Sequence, residues 1–337
     1  MCLFLAGLLP TFRLGCYPAM GGYTGKYVGG RVRVVKQLLE REDVNPDKPD
    51  NEGNTPLWWA ARKGHELVAK KLLGREDVNP NKPNNRGITP LIDASASGHV
   101  RVVKQLLERE DVNPDKPDNE GRSPLWWAAN KGRGLVVKQL LDREDVNPDQ
   151  PDNEGKAPLW WAASQGHELV VKQLLGREDV DPDKPDNRGI TPLIEASASG
   201  QVRAVKQLLE REDVNPDKPD NEGNTPLWWA ARKGHELVVK QLLDRGDVTP
   251  NKPDNEFNTP LSGPVIGGHE PVLTPSAMRT PPPSQTTRTS PRFHGLRSEG
   301  TRQWLINALT GKTPKPTNKA ERKGLHSRGL FRRGAKR

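Results

Sequence analysis

Residues 54–87 read NTPLWWAARKGHELVAKKLLGREDVNPNKPNNRG, and this stretch decides the fold. Thr55 is a natural N-cap, because its hydroxyl can accept a bond from one of the free N–H groups that open a helix. Pro56 follows at the first helical position, where its missing N–H costs nothing. Leu57, Ala60 and Ala61 fall on one helical face, and Gly64 ends the helix because Gly tolerates positive φ. A second helix is predicted from about Glu66 to Leu73, with Val68, Leu72 and Leu73 sharing a face. The remainder, REDVNPNKPNNRG, is rich in Asn, Asp, Pro and Gly and reads as turn chemistry. The unit is therefore helix, turn, helix, long loop. Each helix is shorter than the ~12–15 residues an isolated helix needs, so its apolar face must stack on neighbouring copies of the unit.

Those copies are present. The tripeptide [TSA]-P-L recurs at residues 55, 89, 123, 157, 191, 225 and 259, always 34 residues apart. Six units are complete, with half a unit at each end. Val32–Pro49 matches a second helix and loop, while GGYTGKYVG before it matches no first helix. Thr259, Pro260 and Leu261 open a further unit, whose first helix Pro264 would break. No convincing polar cap is visible at either end. Residues 65–121 and 167–223 differ at only 8 of 57 positions, which argues for duplication within the array.

The pattern T-P-L-x-x-A-A-x-x-G-H-x-x-V-V-x-x-L-L…D-V-N…G, clearest at Thr225–Leu243, resembles the ankyrin repeat. The resemblance covers about residues 31–261. It implies an all-α ankyrin-repeat solenoid flanked by a non-repeat N-terminal segment, 1–30, and a basic C-terminal tail, 262–337, expected to be disordered. The tandem Trp-Trp units are similar to ankyrin arrays of fungal proteins, which often follow a signalling or nucleotide-binding domain. No such domain occurs in these residues, so that role is not carried over.

Two departures from the family stand out. The period is 34 rather than the usual 33 residues: a Gly-Ala pair is missing before Asp-Val-Asn, and PDKPDNEG is correspondingly longer. Pro46 and Pro49 stiffen this loop, so the finger loops are expected to be longer and straighter than usual. The second departure is at the His of TPLH, which is here Trp58, Ile92, Trp126, Trp160, Ile194 or Trp228. The His-to-Thr bonds usual between units cannot form, and apolar packing is expected to replace them.

In the family, the first helices and finger loops line a concave face that binds protein partners. The resemblance places the second residue after TPL on that face: Trp59, Asp93, Trp127, Trp161, Glu195 and Trp229. Arg62, Asn130, Ser164 and Arg232 flank them, together with Lys63, Lys131, Gln165 and Lys233. Tryptophan is a preferred hot-spot residue. The alternative use for these rings is packing over neighbouring units, and for the first Trp of each pair packing is the favoured reading.

Charge and composition bound the remaining functions. Residues 262–337 hold 15 Lys and Arg against 3 Asp and Glu, a net of +12, whereas residues 31–261 net −5. The basic character of the chain therefore belongs to the tail. The closing KAERKGLHSRGLFRRGAKR reads as an import signal, a nucleic-acid contact or a solvated charge run. Thr280-Pro281 and Ser290-Pro291 are candidate phosphorylation sites. Cys2 and Cys16 precede the repeats and cannot cross-link them. CLFLAGLL, residues 2–9, resembles a short signal core but lacks a basic residue ahead of it. No apolar run is long enough to span a bilayer. His65, His99, His167, His235 and His269 recur in register after the turn Gly, which is a structural placement and not a catalytic constellation. No nucleophile triad, P-loop, zinc signature or Rossmann fingerprint appears. The expectation is a monomeric, cytoplasmic or nuclear, non-enzymatic scaffold for a partner protein, with no cofactor, metal, small-molecule substrate or membrane. Two alternatives stand behind it: a nuclear adaptor whose tail contacts nucleic acid, and a truncated repeat fragment without stable function.

Overall fold

The computed structural model describes residues 24–262. Cys2, Cys16, the CLFLAGLL stretch and the basic tail from residue 263 lie outside the described residues. Among the described residues there are thirteen α-helices and no strand. A first helix, α1 (Thr24–Leu39), is followed by α2 (Pro56–Lys63), α3 (Glu66–Leu73), α4 (Pro90–Ser97) and α5 (Val100–Leu107). Next come α6 (Pro124–Asn130), α7 (Gly134–Leu141), α8 (Pro158–Gln165) and α9 (Glu168–Leu175). The last four are α10 (Pro192–Ala198), α11 (Val202–Leu209), α12 (Pro226–Lys233) and α13 (Glu236–Leu243). The chain divides into two compact units at Pro124 and Leu125.

Six helix pairs correspond to the six predicted repeats, and the local signals act as read. Thr55 Oγ1 accepts from Trp58 N at 3.1 Å, with Pro56 at the helix start and Gly64 closing the helix at φ 66°. A Cβ at Gly64 would come 2.6 Å from the His99 ring, so close approach to the next repeat also requires glycine there. GGYTGKYVG was read as matching no first helix, and no separate first helix stands there: residues from Thr24 onward run as one unbroken helix into the second-helix position. The helix crosses the boundary drawn at residue 31, passing through Gly30, which stands 34 residues before the turn glycine Gly64.

Within the first unit α2 packs on α4, and α3 on α5; within the second, α10 packs between α8 and α12, and α9 between α7 and α11. The core is thus a row of thin slices. One slice holds Leu159, Trp160, Ala162, Ala163, Val170, Val171 and Leu174, all buried. Each fully buried large apolar side chain contributes about 1.5–3 kcal/mol, and the burial comes from the partner helix of the pair together with the adjacent pairs.

The loops add polar ties that repeat with the period. Arg177 Nε and Nη2 form a two-pronged bond to Asp179 at 2.8 and 2.6 Å. Its Nη1 donates to the carbonyl of Leu141 at 2.6 Å, satisfying an end of α7 that has no partner within its own helix. Arg75, Arg109, Arg211 and Arg245 do the same to Leu39, Leu73, Leu175 and Leu209. This arginine holds the Asp179 carboxyl below the ordinary carboxylate range. The Arg-Glu-Asp sequence therefore occupies the place of the absent Gly-Ala pair and clamps one repeat to the previous one.

A second tie is less well balanced. Asp183 Oδ2 accepts from Asn215 N at 2.8 Å, and Lys218 Nζ donates to the Asp183 carbonyl at 2.8 Å. Asp183 Oδ1 is buried with no hydrogen-bond partner among the described residues. Burial pushes this carboxyl up, outweighing the bond from Asn215 and the nearby Lys218. In the first unit the matching residue is Asn81, whose Oδ1 takes the bond from Asn113 N at 2.8 Å while its Nδ2 donates to the Asp111 carbonyl.

The finger loops are short closed turns and not the longer, straighter loops expected. Asp152 N donates to the Lys156 carbonyl at 3.1 Å, and Asp152 Oδ1 accepts from Glu154 N and Lys156 N at 3.0 Å. The extra loop residues are spent on the ties between repeats. Asn187 N donates to the Glu154 carbonyl at 3.0 Å, and its Nδ2 to the Asn153 carbonyl at 3.2 Å.

Two outcomes are expected from these ties. Arg177→Lys keeps the charge but loses the fork geometry, and should lower the urea unfolding free energy by about 1–3 kcal/mol. Asp183→Asn should raise stability at neutral pH by about 1 kcal/mol, since the Asn amide can donate as Asn81 does. The sign follows from the raised folded-state value. The folded chain binds the proton more readily than the unfolded chain, so wild-type stability from this group rises as pH falls through that raised value. The variant should therefore lose that rise, and urea midpoints at neutral and mildly acidic pH check it.

Candidate functional site

The two tryptophans of each pair divide into two environments. The first ones, Trp58, Trp126, Trp160 and Trp228, are 1–4% exposed and belong to the core. They replace the family His by apolar packing, as expected, and two of the four add an indole hydrogen bond that the sequence reading did not anticipate. Trp160 Nε1 donates to the Ile190 carbonyl of the next repeat at 3.1 Å, and Trp126 Nε1 to Asp152 Oδ2 at 3.0 Å.

The second tryptophans sit outside these. In the first unit Trp59 is 40% exposed and stands edge-on to Trp58, ring centroids 5.0 Å apart. Its Nε1 donates to Asp50 Oδ2 of the preceding finger loop at 3.1 Å. Lys63 Nζ lies 5.9 Å from its ring centroid. Arg62 lies 5.0 Å over Trp58 and 3.7 Å from Asp93 Oδ2. Burial raises the Asp93 carboxyl, while Arg62, Arg86, His99 and Lys63 oppose the shift.

In the second unit Trp127, Trp161 and Trp229 are half-buried. Trp161 Nε1 donates to Asp152 Oδ2 at 3.3 Å, and Trp229 Nε1 to Asp220 Oδ2 at 2.9 Å. Trp161 packs edge-on against both Trp160 and Trp126, at 5.1 Å each. Trp161 and Trp229 both rest on the cluster of Trp160, Ile190 and Ile194. Lys131 lies 5.7 Å from the Trp127 centroid and Lys233 5.9 Å from that of Trp229. Arg232 is exposed, with its guanidinium 4.9 Å over Trp228. Ser164 Oγ donates to Glu195 Oε1 at 2.9 Å. Asn130 is half-buried, and its carbonyl accepts from His167 Nε2 at 3.1 Å.

The structure therefore joins Arg62 with Asp93 and Ser164 with Glu195, and it seats Trp161 and Trp229 on one cluster. The outer indoles are not bare. Each of Trp59, Trp161 and Trp229 is tethered to a finger aspartate nine residues earlier, and lysines lie over the rings of Trp59, Trp127 and Trp229. Sequence reading missed Asp50, Asp152 and Asp220, although their fixed spacing before the Trp pair was available as a signal. His99, His167 and His235 each spend Nε2 on a carbonyl of the previous repeat, at 3.0–3.1 Å. Among the described residues no group of three or more His, Cys, Asp or Glu is arranged to hold a metal ion. Nor is any described helix long and apolar enough to cross a membrane.

Comparison with known proteins agrees with this architecture. The family model for ankyrin repeats (3 copies) matches residues 27–118, 110–186 and 169–254. The chain belongs to the ankyrin-repeat family. Among solved structures it is similar to the human ASB11 ankyrin repeat domain, at 26% identity and TM-score 0.54, over 65% of this chain and 100% of that one. It shares the fold of the ankyrin repeat domain of Bcl-3, a member of the IkappaB family, at 24% identity and TM-score 0.58, over 63% of this chain and 95% of that one. A search of curated proteins returned no match. Ankyrin repeats are generally protein–protein interaction modules, and their proteins are typically binding scaffolds rather than enzymes.

The division between the two Trp positions has a measurable consequence. Trp160→Ala opens a cavity in the core and should cost about 3–5 kcal/mol. Trp161→Ala removes one indole bond and a partly exposed ring, and should cost about 1–2 kcal/mol. Urea titrations of the two variants side by side check the difference.

Proposed function

We propose that this chain holds a partner protein on the face lined by its first helices and finger loops, the concave face of the ankyrin fold. The contact residues are Trp59, Arg62 and Asp93 in the first unit, and Trp127, Asn130, Trp161, Ser164, Glu195, Trp229 and Arg232 in the second. One observation carries the reading. Trp59, Trp161 and Trp229 are partly exposed yet held in place by a bond from Nε1 to a finger aspartate. An indole that is already fixed loses little freedom when a partner covers it. Its remaining apolar area is then available at low entropic cost, which is the physical basis of a Trp hot spot. The lysines over these rings supply the polar rim.

The test is capture from the native host with the full chain as bait, compared with the chain carrying Trp59, Trp127, Trp161 and Trp229 all changed to Ala. Circular dichroism first establishes that both are folded. A partner protein retained by the wild-type chain and lost with the variant is the expected result, since hot-spot truncations cost upward of about 2 kcal/mol each. Identical captured sets from both baits would move the binding surface elsewhere on the chain.

A further inference from the structure

The near-duplicated segments differ at a place that matters for recognition. In the first unit Asp93 has a cation from its own chain: Arg62 Nη1 lies 3.7 Å from Asp93 Oδ2, with the guanidinium 5.0 Å over Trp58. The matching residues 102 positions later are Ser164 and Glu195. The acid is retained and lengthened by a methylene, while the arginine is gone. Glu195 accepts from Ser164 Oγ at 2.9 Å and from Ser199 Oγ at 3.1 Å. Among the described residues it has no ion-pair partner within 4.0 Å. Its side chain is half-buried, a position in which a carboxylate gains from an opposite charge.

The surroundings suit a planar cation. Glu195 lies on α10, between α8 carrying Trp161 and α12 carrying Trp229. Both indoles rest on the same Trp160, Ile190 and Ile194 cluster. The two serine hydroxyls fix the carboxylate, and the indole tethers to Asp152 and Asp220 fix the rings. Cations of the adjoining repeats are engaged with other groups: Lys156 Nζ is 2.6 Å from Glu154, Arg188 is 3.6 Å from Asp186, Lys233 lies over Trp229 and Arg232 over Trp228. A guanidinium both stacks on aromatic rings and forks onto a carboxylate, which an ammonium does less well.

We infer that Glu195, flanked by Trp161 and Trp229, receives an arginine side chain of the bound partner protein, filling the role that Arg62 fills for Asp93. The inference rests on the protein-binding reading and narrows it to a partner segment bearing arginine at a fixed position. Ser164→Arg should then close the site from within, recreating the Arg62–Asp93 arrangement.

The experiment pans a displayed library of random peptides on the purified full-length chain, and measures enriched peptides by fluorescence anisotropy. Peptides whose binding depends on Trp161 and Trp229 are expected to share an arginine. Replacing that arginine by Gln should weaken binding about tenfold or more, as should Glu195→Gln or Ser164→Arg in the chain. Melting of Ser164→Arg should be unchanged or raised, which separates a blocked site from an unfolded one. Trp-dependent peptides that lack a shared arginine, or that bind both variants as well as wild type, overturn this inference and leave the protein-binding reading standing. Failure of the folded wild-type chain to enrich any Trp-dependent peptide overturns both.

Discussion

A helix of eight residues cannot hold itself together in water, and twelve of the thirteen described helices are seven or eight residues long. Everything else in the fold answers that constraint. Within each unit one pair packs on the next, and Leu159, Val171 and Leu174 are buried in that stack. The loops that connect the pairs would otherwise expose helix ends and unpaired carbonyls. The arginine, aspartate, lysine and asparagine ties bring those groups into contact with the adjacent repeat. Stability is accordingly a property of interfaces between repeats and not of any repeat alone.

The same arrangement puts the two rings of a single Trp-Trp dipeptide in different environments. Successive residues on a short helix point about 100° apart, so Trp160 turns into the slice while Trp161 turns out toward its surface. The inner ring is buried in the core. The outer ring is the one the proposed function assigns to a partner, and its bond to Asp152 holds the indole in place. The finger loop therefore does two jobs: it ties repeat to repeat through Asn187, and it orients the outer indole through Asp152.

Much of this was legible in the sequence. The caps at Thr55 and Gly64, the helix from Glu66 to Leu73, the 34-residue period and the six complete repeats all follow from local propensity and periodicity, which act within a few residues. What escaped were the ties that act between repeats. Arg177 reads locally as part of a charged loop, and nothing within its own repeat reveals that it clamps the end of α7. The helical stretch from Thr24 was missed because it lacks the Thr-Pro-Leu opening on which the reading relied and carries Gly29 and Gly30, which read as a break. For the candidate site, the positions of the outer residues came from family resemblance, and the sequence could not say how far each ring is covered. Trp59 is more exposed than Trp161, although both occupy the same position in the repeat; Trp161 rests on the Trp160, Ile190 and Ile194 cluster and has Trp126 beside it. That Glu195 makes no ion pair, whereas Asp93 does, became apparent only in three dimensions.

The most direct test of the account is far-UV circular dichroism of the isolated segment 156–189, one complete repeat, at neutral pH. If neighbouring repeats supply the stability, this segment should show a coil spectrum, although the same residues form α8 and α9 in the full chain. A strongly helical spectrum from the isolated repeat would contradict the account, because the helices would then be stable without the interfaces on which the whole fold is argued to depend.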